Sequence, residues 1–163
     1  MVEEKYNTEL KRSMAANIDA GIFVAFSFVM SQFIDKTDTL QLKYLLVIIV
    51  LFAPVLYSIV LHYLYGQTLG KVAFSLLVVD VDEERKLSLG QAIRRNSIYL
   101  LFAFGLMLYI LYNGVLPDFA KSYAGILWQP LAMYAIAEVV TTGLSSKKRA
   151  IHDYLAGSVV INI

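Results

Sequence analysis

Four apolar runs, each close to the length that crosses a bilayer, leave this chain few ways to fold. A spanning helix takes about 20 mainly apolar residues to cross a hydrocarbon core of about 30 Å, and segments near 14–34, 42–65, 97–116 and 124–144 approach that length. A soluble bundle would need a polar face on each helix, and LLVIIVLFAPVLYSIVL and YLLFAFGLMLYILY carry almost none. Composition agrees, with 58% hydrophobic and 17% charged residues and a mean hydropathy of +0.63. The expected fold is an all-α membrane protein: a four-transmembrane-helix bundle in one domain, 1–163, with a small cytoplasmic β-hairpin or three-stranded element.

Charge sets orientation and removes some functions. The net charge is +1, so no basic excess exists to neutralise a nucleic-acid backbone, and nucleic acid is not an expected partner. Bases gather in the amino terminus, the segment 66–96 and the carboxy-terminal tail; Lys36, Lys43 and Lys121 fall on the other side. The positive-inside rule then puts both termini in the cytoplasm of a multi-pass protein of the bacterial plasma (inner) membrane. No small-residue cleavage site follows the first apolar run, which reads as a retained helix. Tyr44, Tyr63, Tyr65, Tyr99, Tyr123 and Trp128 lie toward helix ends, where amphipathic rings favour the interface. The absence of cysteine removes disulfides, thiolate nucleophiles and cysteine metal sites.

The segment 66–96 is too long for a simple turn. Ser88 followed by Gln91 forms a capping-box pattern, so the third helix should begin near Ser88, before the bilayer. Upstream, LLVVDVDEERKLSL is β-branched around a charged turn and reads as a hairpin at the membrane surface, to which SVVINI could add an edge strand. Pro54 and Pro130 fall inside spans and predict kinks.

Ionisable residues inside spans are costly and therefore informative. Arg12 and Asp19 are seven apart, within about 20° on one helix face, with Ala16 between them. Asp19 is either the partner of an orienting ion pair with Arg12 or another base, or part of an ion site. His62 and Glu138 fall at a similar depth. His62 alone reads as an interfacial side chain between Tyr57 and Tyr65; Glu138 has no charged neighbour on its own helix and needs a partner from another span or from water. GQTLGKV is not a phosphate loop, having three residues between Gly66 and Gly70 where four are required, and Val72 in place of the metal-binding hydroxyl. His152 and Asp153 are adjacent and poorly spaced for a metal pair. No catalytic triad spacing is present; the reading is no enzyme, no cofactor and no metal. Small residues at Ala16 and Ala20, and at Gly21 and Ala25, suit close helix packing first and a symmetric homodimer second.

Four stretches together, KRSMAANIDAGIF, GQTLGKVAFSLLVVD, LSLGQAIRRN and KKRAIHDYLAGSVV, resemble the RDD family of membrane proteins, in order and over nearly the whole chain. The resemblance implies that Arg12, Asp19 and Asp153 are the arginine and two aspartates of the family name. Ser158 stands where the family commonly has threonine, preserving the hydroxyl. Some members are proposed to exchange sodium or other monovalent cations for protons. The resemblance also suggests that Arg12, Arg94 or Arg95 pairs with Asp153 and closes the cytoplasmic end of the bundle over Asp19. The expected polar cluster is Arg12, Asp19, His62, Arg95, Glu138 and Asp153, serving as an ion site or as structural latches. Monovalent cation/proton transport stands first, with membrane lipid, Na+ or another monovalent cation, and protons as partners. A non-catalytic scaffold or regulatory module that binds a protein or lipid stands second.

Overall fold

The computed structural model describes residues 5–114 and 119–163 and, within the latter stretch, the side chains at 130 and from 132 onward. Lys121, Tyr123 and Trp128 thus lie outside the described side chains. The order is α1 (Glu9–Lys36), α2 (Leu40–Tyr65), α3 (Leu69–Ala73), β1 (Leu76–Asp80), α4 (Leu89–Arg95), α5 (Ser97–Asn113), α6 (Phe119–Leu144), α7 (Ile151–Ala156) and β2 (Ser158–Asn162). Helices α1 and α2 are long and apolar enough to cross a membrane. Helices α4 and α5 meet at a bend of 61° and make a third crossing when taken as one broken span. Val24, Phe28, Leu101, Leu108 and Ile136 all face outward and exposed, an apolar surface that suits lipid and not water.

Local chemistry sets the helix ends. Glu9 in the first turn of α1 and Lys36 in the last complement the helix dipole, and the Thr37 hydroxyl donates to Phe33 O at 2.7 Å. Helix α2 runs through Pro54 and stops at Gly66, which adopts φ +70° and donates its N–H to His62 O. A Cβ at Gly66 would come within 2.8 Å of Val78 O, so glycine is required there for both its backbone angle and its closeness to β1. The Ser88–Gln91 capping box forms: Gln91 N–H donates to Ser88 Oγ at 3.3 Å and Ser88 N–H to Gln91 Oε1 at 2.9 Å. Gln91 Nε2 also donates to an Asp80 carboxylate oxygen at 2.9 Å, joining α4 to the end of β1.

The β element differs from the expected hairpin. β1 pairs antiparallel with β2, in the register Leu76↔Asn162 through Asp80↔Ser158. The return strand of the hairpin is reduced to one bridge, Val79↔Lys86. The reason is length: only Lys86 and Leu87 separate the charged turn from the helix cap at Ser88, whereas the tail offers five residues in full register. Glu83, at φ +65° in that turn, pins it by accepting from Lys5 Nζ, Tyr6 OH and Lys147 Nζ. The donors, Lys5 first, hold its carboxyl down at about 2.

Packing divides between the two ends of the bundle. Ile34, Val47, Val50, Leu106 and Ile110 form one core where α1, α2 and α5 meet. At the other end Ala15 of α1 packs with Leu76, Val78, Leu87 and Val160 of the sheet and its turn. Gly70 lets α3 lie directly on α1: a Cβ there would stand 2.0 Å from Ala15 O, in contact with backbone that has no rotamer to change. Gly70→Ala is therefore expected to lift α3 from α1 and cost about 1–3 kcal/mol, as overpacked sites do. It should lower the melting temperature in detergent, while Gly90→Ala, with open space around the added methyl, should leave it near wild type.

Candidate functional site

The polar end of the bundle is organised by two carboxylates, and one face of α1 serves both. Arg12 leaves α1 toward Asp153, donating from Nη2 to Oδ2 at 2.5 Å and from Nη1 to Lys148 O at 2.6 Å. Arg95, the last residue of α4, donates to Asp153 Oδ1 and, at 2.8 Å, to Ser158 Oγ. Ala150 N–H completes the set, donating to Oδ2 at 3.0 Å at the start of α7. Asp153 is fully buried and Arg95 nearly so. Burial alone would raise the carboxyl, but the guanidiniums of Arg95 and Arg12 outweigh it and hold Asp153 far below the usual carboxylate range. Arg94 is exposed and makes no ion pair among the described residues. The Ser158 hydroxyl is used here, between Arg95 and Asp153.

Two turns along α1, Asp19 does not pair with Arg12. Its Oδ1 accepts from Tyr57 OH and from Gly70 N–H, both at 2.9 Å, and its Oδ2 accepts from Thr68 Oγ1 at 2.6 Å. Tyr57 OH in turn accepts from Leu69 N–H at 2.9 Å. The start of α3 is thus wrapped around a carboxylate of α1, as suits backbone N–H groups with no helical partner. Sequence reading missed Thr68, Gly70 and Tyr57. The GQTLGK stretch carried the signal, for a threonine and a glycine beside a helix start are suited to bind an anion, here the protein's own carboxylate.

His62 and Glu138 also differ from expectation. His62 is buried, not interfacial; its Nδ1 lies 2.7 Å from Ser58 O and its Nε2 2.8 Å from Lys71 Nζ. Glu138 finds its partner on α7, outside any span: His152 Nδ1 lies 2.7 Å from Oε2, and His152 N–H donates to Oε1 at 3.3 Å. His152 Nε2 accepts from Arg95 Nη2 at 2.9 Å. Each imidazole therefore presents an Nε2 lone pair to a cation and carries its proton on Nδ1. Burial, then Arg95, keeps His152 below the ordinary histidine range, consistent with a neutral ring.

These groups surround a cavity of about 560 Å³. Arg12, Asp19, His62, Lys71, Arg95 and Glu138 line its polar end, and Phe23, Pro54, Val55, Tyr99, Tyr134 and Val139 line the rest. Among the described residues, Lys71 has no carboxylate within ion-pair distance, and its ammonium contacts His62 only. Burial, then repulsion from Arg95 and Arg12, pushes Lys71 from the usual 10.5 down to about 7. Glu9 and Lys148 neutralise each other at the rim, 3.0 Å apart. The other fixed charges of the cluster are the guanidiniums of Arg12 and Arg95 and the carboxylates of Asp19 and Glu138, which line the cavity, and that of Asp153, which does not line it but is bound to both guanidiniums. They leave one negative charge for Lys71 to balance.

Long apolar helices capped at one end by carboxylate clasps and a short sheet define a membrane protein with a cavity that is polar at one end and apolar along the rest. Residues 6–157 match the model of the RDD family, and the chain belongs to that family. No curated protein and no solved structure matches it.

Removing the Asp153 carboxylate while its two guanidiniums stay buried should cost roughly 3–5 kcal/mol, the usual penalty for breaking a buried pair from one side. Because the folded carboxyl lies below its unfolded value of 3.8, its stabilisation is complete above that pH and is lost as pH falls further. Melting in detergent should show little Asp153 contribution to pH dependence between 7 and 5 and a decline below about 4. Asp153→Asn should melt lower throughout and lack that part of the acid dependence.

Proposed function

We propose that this protein exchanges a monovalent cation for a proton at the Lys71 cavity, within a four-span bundle of the inner membrane with both termini in the cytoplasm. The charge balance of the cavity carries this reading. Counted with Asp153, which binds both guanidiniums but does not line the cavity, the cluster of two guanidiniums and three carboxylates has one uncompensated negative charge, which either a proton on Lys71 or an entering cation can balance. Both together would place an extra positive charge in a poorly solvated space, which is costly. Entry of the cation therefore favours loss of the Lys71 proton, and protonation favours release of the cation. A group that titrates at about 7 suits this competition at physiological pH. His62 Nε2, at 2.8 Å, is the first acceptor available to that proton.

Four spans and the cytoplasmic placement of the termini are supported by the distribution of lysine and arginine and by the apolar lengths of α1, α2 and the α4–α5 pair, with a shorter apolar stretch, Ala132–Leu144, described in α6. The cavity then opens in the cytoplasmic part of the bundle. The alternative is a non-catalytic module that binds a partner protein or lipid. It is favoured by the full hydrogen bonding of Asp19 and Asp153, which marks both as latches.

Proteoliposomes with an internal pH dye distinguish the two. Wild type should show proton flux on addition of a monovalent cation, more strongly at pH 8 than at pH 6, because above about 7 Lys71 has given up its proton. Lys71→Met should insert and melt normally yet lose at least tenfold of the flux and its pH dependence. Absence of flux from verified wild-type liposomes with every cation tried would favour the module.

A further inference from the structure

On the exchange reading just given, we propose that the cation taken up by the cavity is a small organic ammonium and not a bare alkali-metal ion. An alkali ion that sheds its water must replace that shell with several oxygen ligands. The carboxylates facing the cavity are poorly placed to supply them. Asp19 already accepts three hydrogen bonds. Glu138 is engaged through both oxygens by His152.

The cavity does offer room and aromatic surface. Its volume of about 560 Å³ lies within the range of small-molecule pockets, about 300–1,000 Å³, and is far larger than one desolvated metal ion fills. Four aromatic rings line it in two pairs contributed by four helices. Phe23 of α1 meets Tyr57 of α2 edge to face, with centroids 5.0 Å apart. Tyr99 of α5 meets Tyr134 of α6 in the same way at 5.4 Å. Aromatic surfaces attract alkylammonium groups through their ring quadrupole, and clusters of such rings recognise quaternary ammonium in particular. The uncompensated negative charge of the surrounding cluster, Asp153 included, adds a longer-range attraction that needs no directed ligand. Lys71 is itself a tethered alkylammonium in this cavity, so a free one would replace like with like when Lys71 loses its proton.

The test is a comparison of probes in the same proteoliposomes at pH 8: tetramethylammonium chloride against the chlorides of lithium, sodium and potassium. Tetramethylammonium has no neutral form that leaks through lipid, so its proton flux reports the protein. The expected result is proton flux driven by tetramethylammonium at concentrations at which the alkali cations drive little. Tyr99→Leu should raise the half-maximal tetramethylammonium concentration roughly two- to fivefold, the scale of one cation–π contact, while Tyr99→Phe, which keeps the ring, should stay near wild type. Alkali-driven flux with none from tetramethylammonium would overturn the organic-cation proposal and leave exchange intact. Flux with none of the four would overturn both. Equal flux with all four would also overturn the preference.

Discussion

The buried Asp153 carboxylate is the contact on which the polar end of this protein depends. Arg12 reaches it from α1, Arg95 from the end of α4, and the backbone of Ala150 from the start of α7. A carboxylate with two guanidinium partners is stable in burial only while all are present, so the three elements are fixed relative to one another. Asp19 repeats the arrangement with neutral donors, binding the start of α3 and Tyr57 of α2 to the same face of α1. Helix α1 is thus the strut shared by both clasps. The sheet then seals the end, with Leu76, Val78 and Val160 packed against Ala15 of α1 and Leu87.

Function follows from what the clasps leave over. Each clasp satisfies its own carboxylate, but the cavity between them still holds Lys71, whose ammonium meets an imidazole in place of an acid. Burial lowers Lys71 first, and repulsion from Arg95 and Arg12, the residues that hold Asp153, lowers it further. In the proposed exchange, structural latch and proton-carrying lysine are one electrostatic unit: the guanidiniums that fix the fold also help the lysine release its proton. This reconciles Arg12, Asp19 and Asp153, which the resemblance implies are the residues of the family name and which are bonded into the framework, with a proposed chemistry located beside them.

Much of the framework was legible in the sequence, because it depends on local rules. Apolar length marked α1 and α2, and the capping pair Ser88 and Gln91 marked the start of α4. The β-branched tail SVVINI reads as one that could add an edge strand, and Ser158–Asn162 forms β2. What failed depended on contacts between distant segments. The hairpin reading counted β-branched residues but not the two-residue return before Ser88. His62 looked interfacial because its partner, Lys71, lies beyond the turn at Gly66. For Glu138 the reading asks for a partner from another span or from water, because the short helix carrying His152 is not foreseen. Lys71 itself gave no sign, for a lysine after a span usually marks orientation, and only the fold places it among guanidiniums.

The most direct test of this account is the ionisation of Lys71, followed by NMR of protein labelled with 15N at lysine Nζ, with the signal assigned by its absence from Lys71→Met. The account predicts a midpoint near 7, in place of the usual 10.5, and a further fall when a transported cation is added. A midpoint near 10, unmoved by any cation, would contradict it.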